Sequence, residues 1–165
     1  MDAMKNRQIP RRPGFTLIEL LITLAILGLL ASLALPVSRT IVQRSQEREL
    51  RYALREIRNA IDRYKVAFDG GRIARATGDL GYPRSLDVLA DGIIDQLDPK
   101  KKKLFFLRRV PRDPMNPDMN LTPDETWGKR SSESEADDPQ EGSDVFDVYS
   151  KSVKIGLNGA PYNKW

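Results

Sequence analysis

Hydrophobic and polar positions divide the chain into a long apolar run, an amphipathic stretch and a mixed remainder. From Phe15 to Leu35 the only charged residue is Glu19. At about 1.5 Å per residue, a helix of this length reaches across the roughly 30 Å hydrocarbon core of a bilayer. We therefore predict a membrane-spanning helix over residues 15–36. Its carboxylate needs a compensating partner, because an ionised group costs about 2.5–3.5 kcal/mol at the centre of such a helix and less near its end.

The amphipathic stretch, residues 37–69, continues the helix beyond the apolar run. Its large apolar residues recur at spacings of three and four, which places them on one helix face, while charged residues fill the other faces. The face consists of Leu50, Leu54, Ile57, Ile61, Tyr64 and Phe68. We predict that it packs on a core and that Gly70 and Gly71 end the helix.

Residues 70–165 carry the signals of a small α+β domain. Ser85 is a plausible N-cap for a short helix over Leu86–Asp91, which Gly92 would end. Strands are predicted over Thr126–Ser131 and Val145–Ser150. The fold class predicted for the chain is therefore α+β, with a long N-terminal helix packed on a small C-terminal antiparallel β-sheet domain.

Two further features of this region are a run of lysines and a pair of aromatic residues at the end of the chain. The four consecutive lysines Lys100–Lys103 form either a solvated loop or a contact between subunits. Tyr162 and Trp165 are expected to anchor the end of the chain on the sheet, because chain ends fray unless they are tied down.

Charge and composition narrow the function classes. The chain has no cysteine and no histidine, so it lacks disulfides, the commonest general base and the commonest transition-metal ligand, and we expect no enzymatic activity. The formal charge of +4 owes much to Lys5, Arg7, Arg11 and Arg12. These charges precede the apolar run, so they predict a cytoplasmic N-terminus and an exported remainder rather than nucleic-acid binding.

The segment from Arg11 to Glu19, Arg-Arg-Pro-Gly-Phe-Thr-Leu-Ile-Glu, resembles the processing site of type IV pilins and of the pseudopilins of type II secretion. The resemblance implies that residues 1–14 are a basic leader, which a prepilin peptidase removes by cutting between Gly14 and Phe15. It also implies methylation of the new Phe15 amine and pairing of Glu19 with that amine on a neighbouring subunit. The alternative is an uncleaved signal anchor whose Glu19 reaches towards the membrane interface.

A second segment, Val110-Pro111-Arg112-Asp113-Pro114, resembles a turn of the major, G-type pseudopilins. With the missing cysteine pair and the small head, residues 70–165, it favours a pseudopilin over a type IV pilin. The resemblance implies a type IV pilin-like fold and a single-pass protein of the bacterial inner membrane with a periplasmic C-terminal domain. It also implies a pseudopilus in the periplasm that helps to export folded proteins across the outer membrane.

The partners implied by this resemblance are other copies of the chain, minor pseudopilins, the inner-membrane assembly platform and the prepilin peptidase. Two alternatives remain open: a type IV pilus subunit for adhesion or motility, and a membrane-anchored periplasmic binding module that uses an acidic loop. Proline is common at the position of Pro36 in both pilins and pseudopilins. It forms either a simple kink or, with Gly28, a weak point where the helix bends as subunits pack.

Calcium is the one candidate cofactor. Acidic residues are frequent between Glu135 and Asp147, and Ca²⁺ prefers such oxygen ligands. G-type pseudopilins hold a structural Ca²⁺ in their C-terminal loop region, so the resemblance makes Asp144 and Asp147 candidate ligands. The pattern is not an EF-hand, and Asn158 stands where the family usually has an aspartate. The alternative is a solvated acidic loop.

Overall fold

One helix dominates the first part of the fold. The computed structural model describes residues 14–165, apart from the side chains of residues 32–39. Helix α1 runs over Leu17–Asp69, 53 residues, which confirms the predicted long helix. The leader ahead of Gly14 lies outside the described residues, and Pro36 falls among the residues whose side chains are not described, so the leader and the kink stay predictions. The chain divides into two compact units, Met1–Ile41 and Val42–Trp165.

A glycine cap ends α1 where the sequence predicts it. The Arg72 amide donates to the Ala67 carbonyl at 2.9 Å, and the Gly71 amide donates to the Phe68 carbonyl at 3.0 Å. Gly71 adopts the left-handed backbone conformation, with φ of 72°, which this pair of bonds requires and which a residue with a Cβ rarely adopts.

The apolar face of α1 forms the centre of the core of the second unit. All six residues that define the predicted face are buried, and Leu50 and Ile57 are fully inaccessible. They pack with residues from every later part of the chain, among them Leu86, Leu89, Phe106, Trp127, Val148 and Tyr162. The periodicity of this stretch therefore predicts the core correctly.

The short helix α2 covers Asp87–Asp91 and ends at Gly92, as predicted, but Ser85 does not cap it. The capping residue is Leu86, whose side chain makes no capping hydrogen bond. The amide of Leu86 donates instead to Asp124 Oδ1 at 3.0 Å. The prediction for Ser85 was wrong because a buried carboxylate from a distant segment accepts the hydrogen bond of the amide at the start of this helix.

Two small antiparallel sheets complete the domain. Strand β1, Ile93–Ile94, pairs with β2, Lys103–Leu104, and β3, Trp127–Arg130, pairs with β4, Asp147–Ser150. The second pair confirms the two predicted strands, whereas the first pair was not predicted. The α+β fold class is confirmed.

The proline-rich turn ahead of β3 is fixed to the second sheet by buried polar contacts. Asp113 is 1% exposed, and its Oδ2 accepts a hydrogen bond from Ser150 Oγ at 2.6 Å. The indole Nε1 of Trp127 donates to the Pro111 carbonyl at 2.8 Å. Burial raises the pKa of the Asp113 carboxyl above its usual range, although the hydrogen bonds to it act in the opposite direction.

The end of the chain is anchored, although its polar contacts are with α1 rather than only with the sheet. Glu47 Oε1 accepts hydrogen bonds from the Tyr162 hydroxyl at 3.0 Å and from the Leu157 amide at 2.7 Å. The guanidinium of Arg51 lies 4.5 Å from the centre of the Trp165 ring, within cation–π range. Glu47 and Arg51 of α1 therefore help to hold the C-terminal segment.

None of the helical segments that the structure describes combines the length and the hydropathy needed to cross a bilayer. The span predicted over residues 15–36 extends into residues 32–39, whose side chains are not described.

The role of the α1 face can be tested with two alanine variants. Ile57 is fully buried and Tyr52, on the same helix, is 63% exposed. We expect Ile57→Ala to lower the free energy of unfolding by about 2–5 kcal/mol, because it leaves a cavity in the core. Tyr52→Ala should change it by no more than about 0.5 kcal/mol. Thermal unfolding of the full chain in detergent, followed by circular dichroism, measures both. Equal effects would show that this face does not form the core.

Candidate assembly site

The start of α1 lies directly behind the predicted processing site. Residues Gly14, Phe15 and Thr16 are outside the helix, which begins at Leu17. The hydroxyl oxygen of Thr16 accepts a hydrogen bond from the Glu19 amide at 3.2 Å. This is the arrangement of an N-cap, in which a threonine oxygen satisfies an amide of the first turn that has no helical partner. The Thr16 hydroxyl therefore caps the start of α1.

The bond between Gly14 and Phe15 is accessible. The side chain of Phe15 is 82% exposed, and neither residue belongs to the helix. A Cβ added to Gly14 would meet no described atom within 4 Å, and Gly14 does not have a positive φ. Neither the space around this glycine nor its backbone conformation explains why the residue is glycine.

The apolar residues of the first unit are exposed on every side of α1. The large apolar residues from Leu17 to Leu30 are each at least half exposed, with values between 51% and 79%: Leu17, Ile18, Leu20, Leu21, Ile22, Leu24, Ile26, Leu27, Leu29 and Leu30. Because consecutive positions of a helix point in different directions, this segment has no face that the described part of the chain buries. Such a segment needs lipid or other helices around it.

Two polar side chains within the apolar segment, those of Thr23 and Glu19, differ in whether they have a hydrogen-bond partner. The hydroxyl of Thr23 donates to the Leu20 carbonyl at 2.9 Å, so it is satisfied within the helix. The carboxylate of Glu19 is exposed, and no other residue that the structure describes donates a hydrogen bond to it or forms an ion pair with it. No cation in the described part of the chain therefore compensates the negative charge of Glu19.

Gly28 lies in the middle of the same segment. A Cβ added there would meet nothing within 4 Å, so the described chain gives no steric reason for glycine. Glycine in a helix interior costs about 1 kcal/mol relative to alanine. Its predicted part in a weak point with Pro36 stays a prediction.

The two candidate calcium ligands have separate partners. Asp144 accepts hydrogen bonds from the Ser131 hydroxyl at 2.8 Å, the Ser132 amide at 2.9 Å and the Ser132 hydroxyl at 2.6 Å. Partial burial acts to raise the pKa of Asp144, but these hydrogen bonds outweigh it, so the pKa lies below its usual range. The carboxylate is thus stabilised in its charged form by neutral donors.

Asp147 is held by arginines. Its Oδ1 accepts from Arg58 Nε at 2.8 Å, and its Oδ2 lies 3.7 Å from a terminal nitrogen of Arg130. The same Arg58 donates to the carbonyls of Val148 at 2.9 Å and Trp165 at 3.0 Å. The guanidinium of Arg58 on α1 therefore binds three oxygen atoms, two from β4 and one from the C-terminal residue.

These contacts supply both carboxylates with donors from the chain itself. Among the residues that the structure describes, no three acidic side chains come close enough together to hold a metal ion. Arg58, which supplies positive charge in this region, was missed by the sequence analysis. It lies 89 positions from Asp147, and on a helix its charge is typical of a solvated face.

Comparison with known proteins agrees with the geometry of the N-terminal segment. Residues 9–35 match the family described as the prokaryotic N-terminal methylation motif. Type II secretion system core protein G of Aeromonas hydrophila is 30% identical over 118 residues, which cover 68% of this chain and 75% of that protein. The protein of the same name from Pectobacterium carotovorum subsp. carotovorum is 27% identical over 117 residues, which cover 67% of each chain. No solved structure gives a significant match.

The methylation motif includes Gly14 and Phe15, which lie on either side of the accessible peptide bond, and Glu19, which lies in the first turn of α1. The similarity to the two core proteins covers about two thirds of the chain, well beyond the length of the motif. The chain belongs to the type II secretion system core protein G family of type IV pilin-like proteins.

Proposed function

We propose that this chain polymerises through its N-terminal helix into a pseudopilus that helps to export folded proteins across the outer membrane. The observation that carries the proposal is the exposed apolar segment of α1, which contains one carboxylate without a described partner. Members of this family are structural subunits, and the chain is not an enzyme.

Before assembly the subunit waits in the bacterial inner membrane as a single-span protein. The basic residues ahead of Phe15 keep the N-terminus in the cytoplasm, and the head lies in the periplasm. During assembly the apolar segments leave the lipid and pack against one another. Because side chains are exposed on all sides of α1, several neighbours can surround each helix at once.

Glu19 determines the axial position of each subunit. A carboxylate and an ammonium 4 Å apart attract by about 4 kcal/mol at an effective dielectric constant of 20, before the cost of desolvation is counted. The net gain is smaller and can approach zero. The value of the pair is geometric, because an unpaired carboxylate inside an apolar filament core is costly and only one offset between neighbours pairs it with a Phe15 amine.

That amine must be created by removal of the leader. Prepilin peptidase cuts between Gly14 and Phe15 and methylates the new N-terminus. The accessible, non-helical peptide bond supports this step. A Cβ at position 14 would meet no described atom, so a requirement of the peptidase for glycine does not compete with a packing requirement among the described residues.

The proposed partners are other copies of the chain, minor pseudopilins and the inner-membrane assembly platform. The lack of cysteines disfavours a type IV pilin, many of which close a C-terminal loop with a disulfide. Measuring protein secretion in a deletion strain distinguishes a pseudopilus from an adhesive or motile pilus. A membrane-anchored binding module would form no filament under electron microscopy.

Replacement of Glu19 tests the pairing. We expect Glu19→Ala to insert into the membrane and to be cleaved normally, but to enter filaments about tenfold less, the effect of about 1.4 kcal/mol. Glu49→Ala, a change of the same kind at an exposed position of α1, is the control. Filament yield in sheared fractions, with the membrane fraction as reference, gives the measurement. Normal incorporation of Glu19→Ala would refute the pairing.

Processing is tested at Gly14. We expect Gly14→Ala to retain its leader, because the added methyl group changes the residue that the peptidase must accept next to the scissile bond. Gly28→Ala should be cleaved normally. Mass spectrometry of the purified chains distinguishes the two states by the mass of residues 1–14. An intact N-terminus in the unsubstituted protein would contradict the peptidase step altogether.

A calcium site at Asp144 and Asp147 stays an untested prediction, and the contacts of both residues favour a head held without metal. In that case chelation should leave the Tm of the full chain in detergent unchanged. Ca²⁺ at 100 times its Kd would stabilise the fold by about 2.7 kcal/mol, a shift of several degrees. A rise in Tm with Ca²⁺ that Mg²⁺ does not reproduce would establish the site.

The role of Arg58 is tested by measuring the Tm of Arg58→Gln under the same conditions. This change removes the ion pair with Asp147 and leaves two carbonyl oxygens without their donor, so we expect a loss of about 1–3 kcal/mol. Arg55→Gln is the control, since the Arg55 side chain is exposed and, among the described residues, donates only to the Arg51 carbonyl within α1. Equal Tm values for the two variants would show that Arg58 does not hold the C-terminal segment.

A further inference from the structure

The turn between β1 and β2 concentrates positive charge at the surface. Lys100–Lys103, here called the basic hairpin, are all exposed. The Nζ atoms of Lys101 and Lys103 donate to neutral oxygens, those of Gln96 and the Asp91 carbonyl. None of the four lysines forms an ion pair with another residue in the part of the chain that the structure describes.

Apolar side chains lie exposed beside these lysines. Phe105 is 63% exposed, although its neighbour Phe106 is buried in the core. Leu97 is 66% exposed, and Ile94, which pairs with Lys103 in the strand register, is 46% exposed. The basic hairpin thus presents an apolar patch with positive charge around it, which is the composition of a contact surface rather than of a loop that only needs solubility.

A surface of opposite charge lies between β3 and β4. Residues 132–143, here called the acidic loop, contain five exposed acidic residues and no basic residue: Glu133, Glu135, Asp137, Asp138 and Glu141. Among the described residues none of the five is in an ion pair, and only Asp138 accepts a side-chain hydrogen bond, from Gln140 at 2.9 Å. The base of the loop is held by the bonds of Asp144 and by the Ser131 amide, which donates to the Gln140 carbonyl at 2.9 Å.

We infer that the basic hairpin of one subunit binds the acidic loop of the next subunit in the filament. The inference rests on the proposed polymerisation, which supplies the second copy. The two surfaces carry opposite charges, each is unpaired within its own described chain, and each is built on a strand pair. At physiological ionic strength, charges attract over about 8 Å, so lysines and carboxylates on neighbouring heads interact only when the heads come into contact.

The symmetry of this contact is the kind that a filament requires. The two surfaces differ, so the contact is heterologous: each subunit uses its basic hairpin with one neighbour and its acidic loop with another. Contacts of this kind extend into open helical assemblies when the rotation does not close a ring. A contact between two identical patches would instead stop at a dimer.

A membrane with anionic lipids is the other surface that lysines beside exposed aromatic and aliphatic residues can bind. It gives the acidic loop no partner and repels it. A second copy of the chain accounts for both surfaces, so the inference commits to a second copy.

Cross-linking tests the contact directly, because the chain has no cysteine of its own. The full chain carrying Lys102→Cys and Asp137→Cys is expressed in cells with a type II secretion apparatus, and sheared filaments are treated with a short bis-maleimide. We expect a ladder of covalent oligomers beyond the dimer. Either single variant alone should give no cross-link, and co-expression of the two single variants should give dimers only. Dimers from one single variant alone would overturn the heterologous contact.

A reciprocal charge exchange tests the energetics. Lys100→Glu with Lys102→Glu should reduce filament yield about tenfold, the combined effect of several exposed ion pairs. Adding Glu135→Lys and Asp137→Lys to the same chain should restore the yield to within about twofold, because the pairs re-form with exchanged signs. Lys154→Glu with Lys164→Glu changes the charge by the same amount at other exposed positions and should leave the yield unchanged.

The possible failures are distinguishable. Filaments that form without the cross-link, or a yield that the reciprocal exchange does not restore, would overturn the contact and leave polymerisation in place. A different set of results would assign the basic hairpin to the membrane. In that case the purified chain binds phosphatidylserine vesicles, Lys100→Glu with Lys102→Glu abolishes this binding, and the charge exchange does not restore filaments. An unsubstituted chain that forms no filament would overturn the proposed function as well.

Discussion

The structure depends on one helix that must be stable in two different surroundings. The second half of α1 buries its apolar face in the core of its own domain, whereas the first half exposes apolar side chains in every direction. Folding satisfies only the second half. The first half requires a solvent or a set of partners other than water, so the fold of a single chain is incomplete without lipid or other subunits.

The head achieves its stability without disulfides and with very short strands. Charged residues of α1 contribute where strands are too short to do so: Glu47 accepts from the Leu157 amide and the Tyr162 hydroxyl, and Arg58 binds β4 and the Trp165 carbonyl. A buried carboxylate with several donors and a guanidinium with several acceptors satisfy backbone groups that a larger sheet would pair. The helix is therefore both the core and the polar framework of the domain.

Periodicity predicted α1, its glycine end and its buried face because these depend on residues close together in sequence. The cap at Thr16 is local in the same way, although the sequence analysis did not predict it. Contacts between distant residues were not predictable: Asp124 replaces Ser85 at the start of α2, and Arg58 meets Asp147. The strands β1 and β2 have two residues each, too few for any alternation to appear. The calcium prediction rested on acidic composition and on the family resemblance, neither of which reveals that Asp144 accepts from serines and Asp147 from Arg58.

The position of Glu19 within α1 has an electrostatic consequence for the isolated subunit. It lies in the first turn, where the aligned peptide dipoles leave roughly half a positive charge. A carboxylate there offsets this partial charge, so Glu19 stabilises the start of its own helix within a single copy of the chain. The residue therefore has a stabilising role in α1 that does not depend on any partner, next to the helix end where Phe15 lies.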